Sequence, residues 1–174
     1  VVSNNNELST QYNVRGGNFD ENLVYVNGIE IYRPFLVRSG QQEGLSFVNP
    51  NLVEDIKFSA GGFQAKFGDK MSSVLDITYA RPDSMSGNAQ IGLLGGQFQW
   101  MNASRNKKWT CNTGLRYRDN SYVLNSLDVS GDYNPRFMDW QSYITFRPMG
   151  SYGPLEFSIL TNVSANHYQF TPSS

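Results

Sequence analysis

From about residue 88 onward, apolar and polar residues alternate with period 2, the spacing of strands with one apolar and one polar face. Residues 109–118 put Trp109, Cys111, Thr113, Leu115 and Tyr117 on one face, opposite Thr110, Asn112, Gly114, Arg116 and Arg118. Residues 138–147 oppose Met138, Trp140, Ser142, Ile144 and Phe146 to Asp139, Gln141, Tyr143, Thr145 and Arg147. Residues 155–165 oppose Leu155, Phe157, Ile159, Thr161, Val163 and Ala165 to Glu156, Ser158, Leu160, Asn162 and Ser164. Two further strands, over 88–94 and 97–104, bring the expected number to five. The connections alternate in length, with tight turns at 105–108 and 148–154 and a long polar loop at 119–135.

Each strand approaches the ~9–11 residues of a tilted membrane-spanning strand. Trp109 and Tyr117 fall at opposite ends of one apolar face, where barrels in membranes carry aromatic girdles. Five strands leave two open edges, which hydrocarbon does not tolerate, so a barrel built on them needs sequence beyond this chain. The same alternation also suits a soluble β-sandwich, and the period by itself leaves both readings open.

The first part of the chain has a different texture, that of an α+β domain. Two short β-prone runs in 22–32 flank Asn27-Gly28, a dipeptide that accepts positive φ at both positions and so marks a tight hairpin. Asn49-Pro50 offers a helix cap followed by a Pro at the first helical position, predicting a short helix over 50–55. Strands are expected over 56–60, stopped by Gly61-Gly62, and over 74–79. The polar stretch 81–88, with Pro82 and Gly87, reads as a linker between domains at 1–82 and 83–174.

Composition narrows the chemistry. With 14 Lys and Arg against 15 Asp and Glu, the chain has no basic surplus for a nucleic-acid backbone. A single cysteine, Cys111, excludes an internal disulfide framework, and a single histidine, His167, excludes a His-rich metal site. No apolar run approaches the ~18–20 residues of a membrane helix. Charged residues make up 17% and aromatics 14%, which suits a β-rich protein or an outer-membrane barrel. The start, Val1-Val2-Ser3, shows no Met and no signal segment, and a fragment of a longer protein is expected.

Residues 14–35, with Arg15-Gly16-Gly17, a polar turn and then Leu23-Val24-Tyr25-Val26-Asn27-Gly28-Ile29, resemble the plug domain of TonB-dependent outer-membrane receptors. The likeness continues through 49–56, through Gly61-Gly62-Phe63-Gln64-Ala65-Lys66-Phe67-Gly68, and through 72–77. The combination looks like the receptors of Bacteroidota that carry a carboxypeptidase-regulatory-like domain. The resemblance implies a plug that fills a 22-stranded barrel, with this chain supplying the plug and the first five strands. It implies a bacterial outer-membrane location, contact with outer-membrane lipid, TonB as the periplasmic partner and plug-gated uptake of a nutrient. A second function is compatible with the same residues: a transport-inactive barrel serving as a structural subunit of an outer-membrane assembly complex, held by surface lipoproteins or other subunits. The family commonly has Asp-Gly at the hairpin turn. Asn27-Gly28 keeps the turn geometry and removes one charge.

Other motifs resolve to turns. One Arg-Gly-Gly copy in a near-neutral chain favours plug backbone freedom over RNA binding. Asp20-Glu21 matches no calcium loop, and Gly61, Gly62 and Gly68 are followed by no Gly-Lys-Ser/Thr. With one His, one Cys and no nucleophile elbow, no enzyme and no cofactor are expected. The stretch 33–47 carries Arg33, Phe35, Arg38, Gln41, Gln42, Glu43 and Phe47. It reads either as a ligand loop or as a plug-docking loop whose arginines pair with acidic groups of the barrel wall, and pairing is favoured because unpaired buried charge is costly. The alternation further predicts Trp109, Leu115, Trp140, Ile144, Phe157 and Ile159 facing lipid and Arg116, Asp139, Arg147 and Glu156 facing the lumen.

Overall fold

The computed structural model describes residues 2–3, 12–13, 22–32, 46–60, 67, 73–119, 132–150 and 153–171. The chain divides into two compact units, 1–80 and 81–174.

The first unit contains a two-residue antiparallel pair, β1 (Val2–Ser3) with β2 (Tyr12–Asn13). Its main element is a four-stranded sheet of β3 (Asn22–Val26), β4 (Ile29–Glu30), β5 (Val53–Ser59) and β6 (Ser73–Tyr79), in the order β4-β3-β6-β5. β3 runs parallel to β6, and the outer pairs are antiparallel. The central strands carry the core: Leu23, Val24, Val26, Val74, Ile77 and Tyr79 are buried, with Leu52 beside them. Burial on both faces of β3 explains its nearly continuous apolar run. β5 lies at the edge, exposed over most of its length, with Ile56 and Phe58 open to the surface.

The expected helix over 50–55 is absent. A single 3-10 turn, Pro50–Leu52, takes its place, and Val53 starts β5. Asn49 does cap the turn, its Oδ1 accepting from the Asn51 N–H at 3.1 Å. The cap signal was read correctly, but the helix had nothing to continue on. Val53 is β-branched and extended, and pairing with β6 from Val53 opposite Tyr79 gives its backbone partners that one more helical turn would forfeit. Glu54 and Asp55 therefore belong to a strand that begins three residues before the expected 56. Among the described residues, this turn is the main remnant of the helical share expected of an α+β domain.

The second unit is an antiparallel meander of β7 (Ser86–Gly92), β8 (Gly95–Ala103), β9 (Trp109–Asp119), β10 (Asp132–Phe146) and β11 (Phe157–Thr171), each hydrogen-bonded to its sequence neighbour. All five expected strands are present. β10 and β11 are each 15 residues long, and both overrun the expected limits. Asp132-Tyr133-Asn134-Pro135 has turn composition, yet it pairs with 168–171 of β11. Pro135 pairs there with Tyr168, and the last described rung that β10 shares with β9 is Arg136 opposite Asp119. The expected loop at 119–135 is shortened accordingly.

Candidate functional site

The register of the second unit sorts its side chains into two faces. Cross-strand rows on one face join Gln90, Gln97, Arg116, Asp139 and Ser164, then Asn88, Gln99, Gly114, Gln141 and Asn162. This polar face is the more enclosed one. Asn112 and Gln141 have no exposure, and Gln99, Arg116, Asp139, Tyr143 and Thr145 are buried. At its centre Arg116 grips Asp139 with two parallel bonds, Nε to Oδ1 and Nη2 to Oδ2, both 2.7 Å. A planar guanidinium facing a carboxylate is the geometry in which a buried pair offsets most of its desolvation. Carboxamides extend the network, since Gln99 Nε2 donates to Asn112 Oδ1 at 3.1 Å and Gln97 Nε2 donates to Gln90 Oε1.

The opposite face is apolar and open. Phe98, Trp109, Tyr117, Met138, Trp140, Phe157, Ile159 and Val163 are all exposed. By register the three tryptophans of the chain, Trp100, Trp109 and Trp140, share this face with Leu115 and Ile144. Trp109, Phe146 and Phe157 form an aromatic cluster where the strands meet their short turns, with ring centroids 4.2 and 6.4 Å apart. Several polar groups on this face bond within the sheet. Trp140 Nε1 donates to Thr113 Oγ1 at 2.9 Å, the Thr113 and Ser142 hydroxyls meet at 2.5 Å, and Thr113 Oγ1 also reaches the Gln141 carbonyl at 2.9 Å. The distribution is that of a soluble sheet turned inside out: polar residues enclosed, large apolar residues outward.

The lipid and lumen sets read from the sequence fall on opposite faces of this sheet. Leu115, Trp140, Ile144 and Ile159 share one face, and Arg116 and Asp139 share the other. Arg147 and Glu156 pair at the short-turn end at 2.7 Å.

In the first unit, Asn27 and Gly28 form the hairpin turn with φ of 51° and 79°. The turn is tied to the end of β6 twice: the Asn27 N–H donates to the Ile77 carbonyl at 2.8 Å, and Asn27 Oδ1 accepts from the Tyr79 N–H at 2.6 Å. Tyr79 in turn accepts the Asn49 N–H on its hydroxyl at 3.2 Å. Sequence reading missed both Asn49 as a buried tie and Tyr79. No pattern signals a contact made across 30 residues between an N-cap and a phenol. Phe47 lies in a half-buried bend. The remaining expected site residues, Arg15, Gly16, Gly17, Gly61, Gly62 and Gly68 of the plug motif and Arg33, Phe35, Arg38, Gln41, Gln42 and Glu43 of the loop, lie outside the described residues. Among the described residues no group of three or more His, Cys, Asp or Glu side chains is placed to hold a metal ion.

No curated protein and no solved structure matches the chain. A protein-family model does match its first part, the one described as TonB-dependent Receptor Plug Domain, over residues 1–74. The chain thus begins with a plug domain of the TonB-dependent receptor type, followed by an antiparallel sheet whose apolar face is open.

Proposed function

We propose that this chain is the plug and the first five barrel strands of a TonB-dependent outer-membrane receptor of the Bacteroidota type, which imports a nutrient past its plug. The observation that supports this best is the inverted sheet directly following the plug domain. At about 3.4 Å per residue and a tilt of about 40°, the stretch from Arg136 to Phe146 rises about 26 Å, close to the ~25 Å apolar band of an outer-membrane barrel. That band begins below the Arg136–Asp119 ion pair, on the apolar face at 3.1 Å, and ends at the Trp109–Phe146–Phe157 cluster. Among the described residues no helix is long and apolar enough to cross a membrane, so a crossing would be made by strands. In this reading domain 1–82 is the plug and 83–174 opens a 22-stranded barrel. The loop carrying Arg33, Arg38, Gln41, Gln42 and Glu43 docks the plug, and TonB supplies the energy from the periplasm.

Cysteine scanning of the full-length receptor in outer membranes tests the placement. In a Cys111→Ser background, a lipid-soluble maleimide is expected to label positions 115, 140 and 159 and to spare 116, 139 and 141. The inverse pattern would reverse the faces, and labelling of both sets by a water-soluble reagent would remove the sheet from the membrane. Uptake in cells with and without TonB then separates a transporter from a transport-inactive subunit.

A further inference from the structure

The segment 81–85 carries the chain into β7, and it is fastened rather than loose. Arg81 binds Glu156 with both terminal nitrogens, Nη1 to Oε2 at 3.1 Å and Nη2 to Oε1 at 2.6 Å. Arg147 Nε reaches the same carboxylate at 2.7 Å, so one acid holds two guanidiniums. Two residues on, Asp83 meets Lys107 at 3.3 Å. Pro82, between the two attachments, is buried. Glu156 and Arg147 flank the short connection between β10 and β11, and Lys107 sits in the tight turn between β8 and β9, where its φ is 53°. The segment therefore runs across the short-turn end of the sheet, from the β10–β11 connection past the β8–β9 turn to the start of β7.

The five steps from Arg81 to Ser86 reach about 17 Å when fully extended. The segment bends at Asp83 and Ser84 and is held by charge at its far end. The attachments are unequal. Glu156 keeps 25% of its side-chain surface and holds two arginines, whereas Asp83 keeps 89% and Lys107 61%, so screening weakens the second pair far more.

We propose that Arg81, Glu156 and Arg147 form a latch that sets the length of the tether on which the first unit is carried. Fastened, that tether ends at Arg81. Released, it ends at Ser86 and gains about 17 Å of reach. The device stands on the ion-pair geometry and does not depend on which ligand the receptor carries. The latch carboxylate is the controlling group, because its loss frees both arginines at once, and the Asp83–Lys107 pair only guides the strap.

The test is a nitroxide at Ser84→Cys in the full-length receptor with Cys111→Ser, read by its spectral line shape. Arg81→Ala and Glu156→Gln are each expected to raise the mobile fraction about five-fold, the Arg81→Ala/Glu156→Gln pair no further than the larger single, and Asp83→Asn less than about two-fold. A second nitroxide at Asn102→Cys reports whether the sheet is intact. Should a variant lose the sheet, the latch is released instead with ~1 M NaCl in the Asp83→Asn background, where no second pair can respond and the screening length falls to ~3 Å, and the label at 84 is expected to loosen while that at 102 does not. Unchanged mobility in both single variants, additive singles, an Asp83→Asn effect as large as that of Arg81→Ala, or no response to salt would each overturn the latch. None of these outcomes depends on transport or on which face meets lipid.

Discussion

Gly95 occupies a conformation and a space that only glycine fits. Its φ is 136°, and a Cβ there would collide with the Tyr117 carbonyl and come within 2.9 Å of the Arg118 Cα. The obstructing atoms are all β9 backbone, which leaves nothing flexible to yield. Gly95→Ala is expected to destabilise the β7–β8 hairpin by about 1–3 kcal/mol from backbone strain, with the collision added, and to show as early loss of protection in 86–103 by hydrogen exchange. A second residue-scale expectation concerns the central ion pair. Arg116 and Asp139 keep 8% and 1% of their side-chain surface. Asp139→Ala would strand a buried guanidinium and is expected to cost about 3–5 kcal/mol, while Arg116→Met with Asp139→Leu costs less, because removing both charges leaves none unpaired. Urea denaturation of the folded full-length protein in detergent micelles would rank the two variants. The facing of Arg116 and Asp139 was legible from parity alone, since a shift of one residue would put the charges on the face with Trp140 and Leu115. Their pairing was not, because parity says nothing about which strand lies alongside at which register.

At the scale of elements, β7 to β11 were readable because nearly every residue in them obeys one constraint, a single face for apolar groups. The errors fell where that constraint lapses. The upper ends of β10 and β11 have no apolar face to announce them, and Pro135 reads as a break although β10 stays paired with β11 through it. The helix over 50–55 failed for the opposite reason: a strong local cap was present, and the edge of β6 outcompeted it. A charge on the apolar face is the sharpest test of the constraint. Leu115→Arg, near the middle of β9 and opposite Trp140, is expected to lower stability in a bilayer by about 2–4 kcal/mol. Gln90→Arg on the polar face of β7 is expected to have little effect. Folding yields into lipid vesicles, measured for both, would settle whether the two faces see different solvents.

On the scale of the whole molecule, the two units were distinguishable in the sequence because their periodicities differ. The plug was recognisable through ordered motifs, although much of what carries that resemblance, from Arg15 to Gly68, lies outside the described residues. Arg38 is the residue through which the plug reading can be tested in the full-length protein. Under wall docking, Arg38→Ala is expected to raise hydrogen exchange across the plug while leaving ligand affinity within about two-fold. Unchanged exchange with a large loss of affinity would make 33–47 a ligand loop instead.

The mismatch in length between β9 and β10 has a consequence beyond the last rung they share. β10 and β11 stay paired for four residues past the last rung that β9 shares, from Pro135 opposite Tyr168 to Asp132 opposite Thr171. At ~3.4 Å per residue and about 40° of tilt, that ribbon stands about 10 Å proud of the Arg136 level. In the reading proposed above, with the short turns toward the periplasm, it would project from the cell into the medium, where a protease added to whole cells would reach it first.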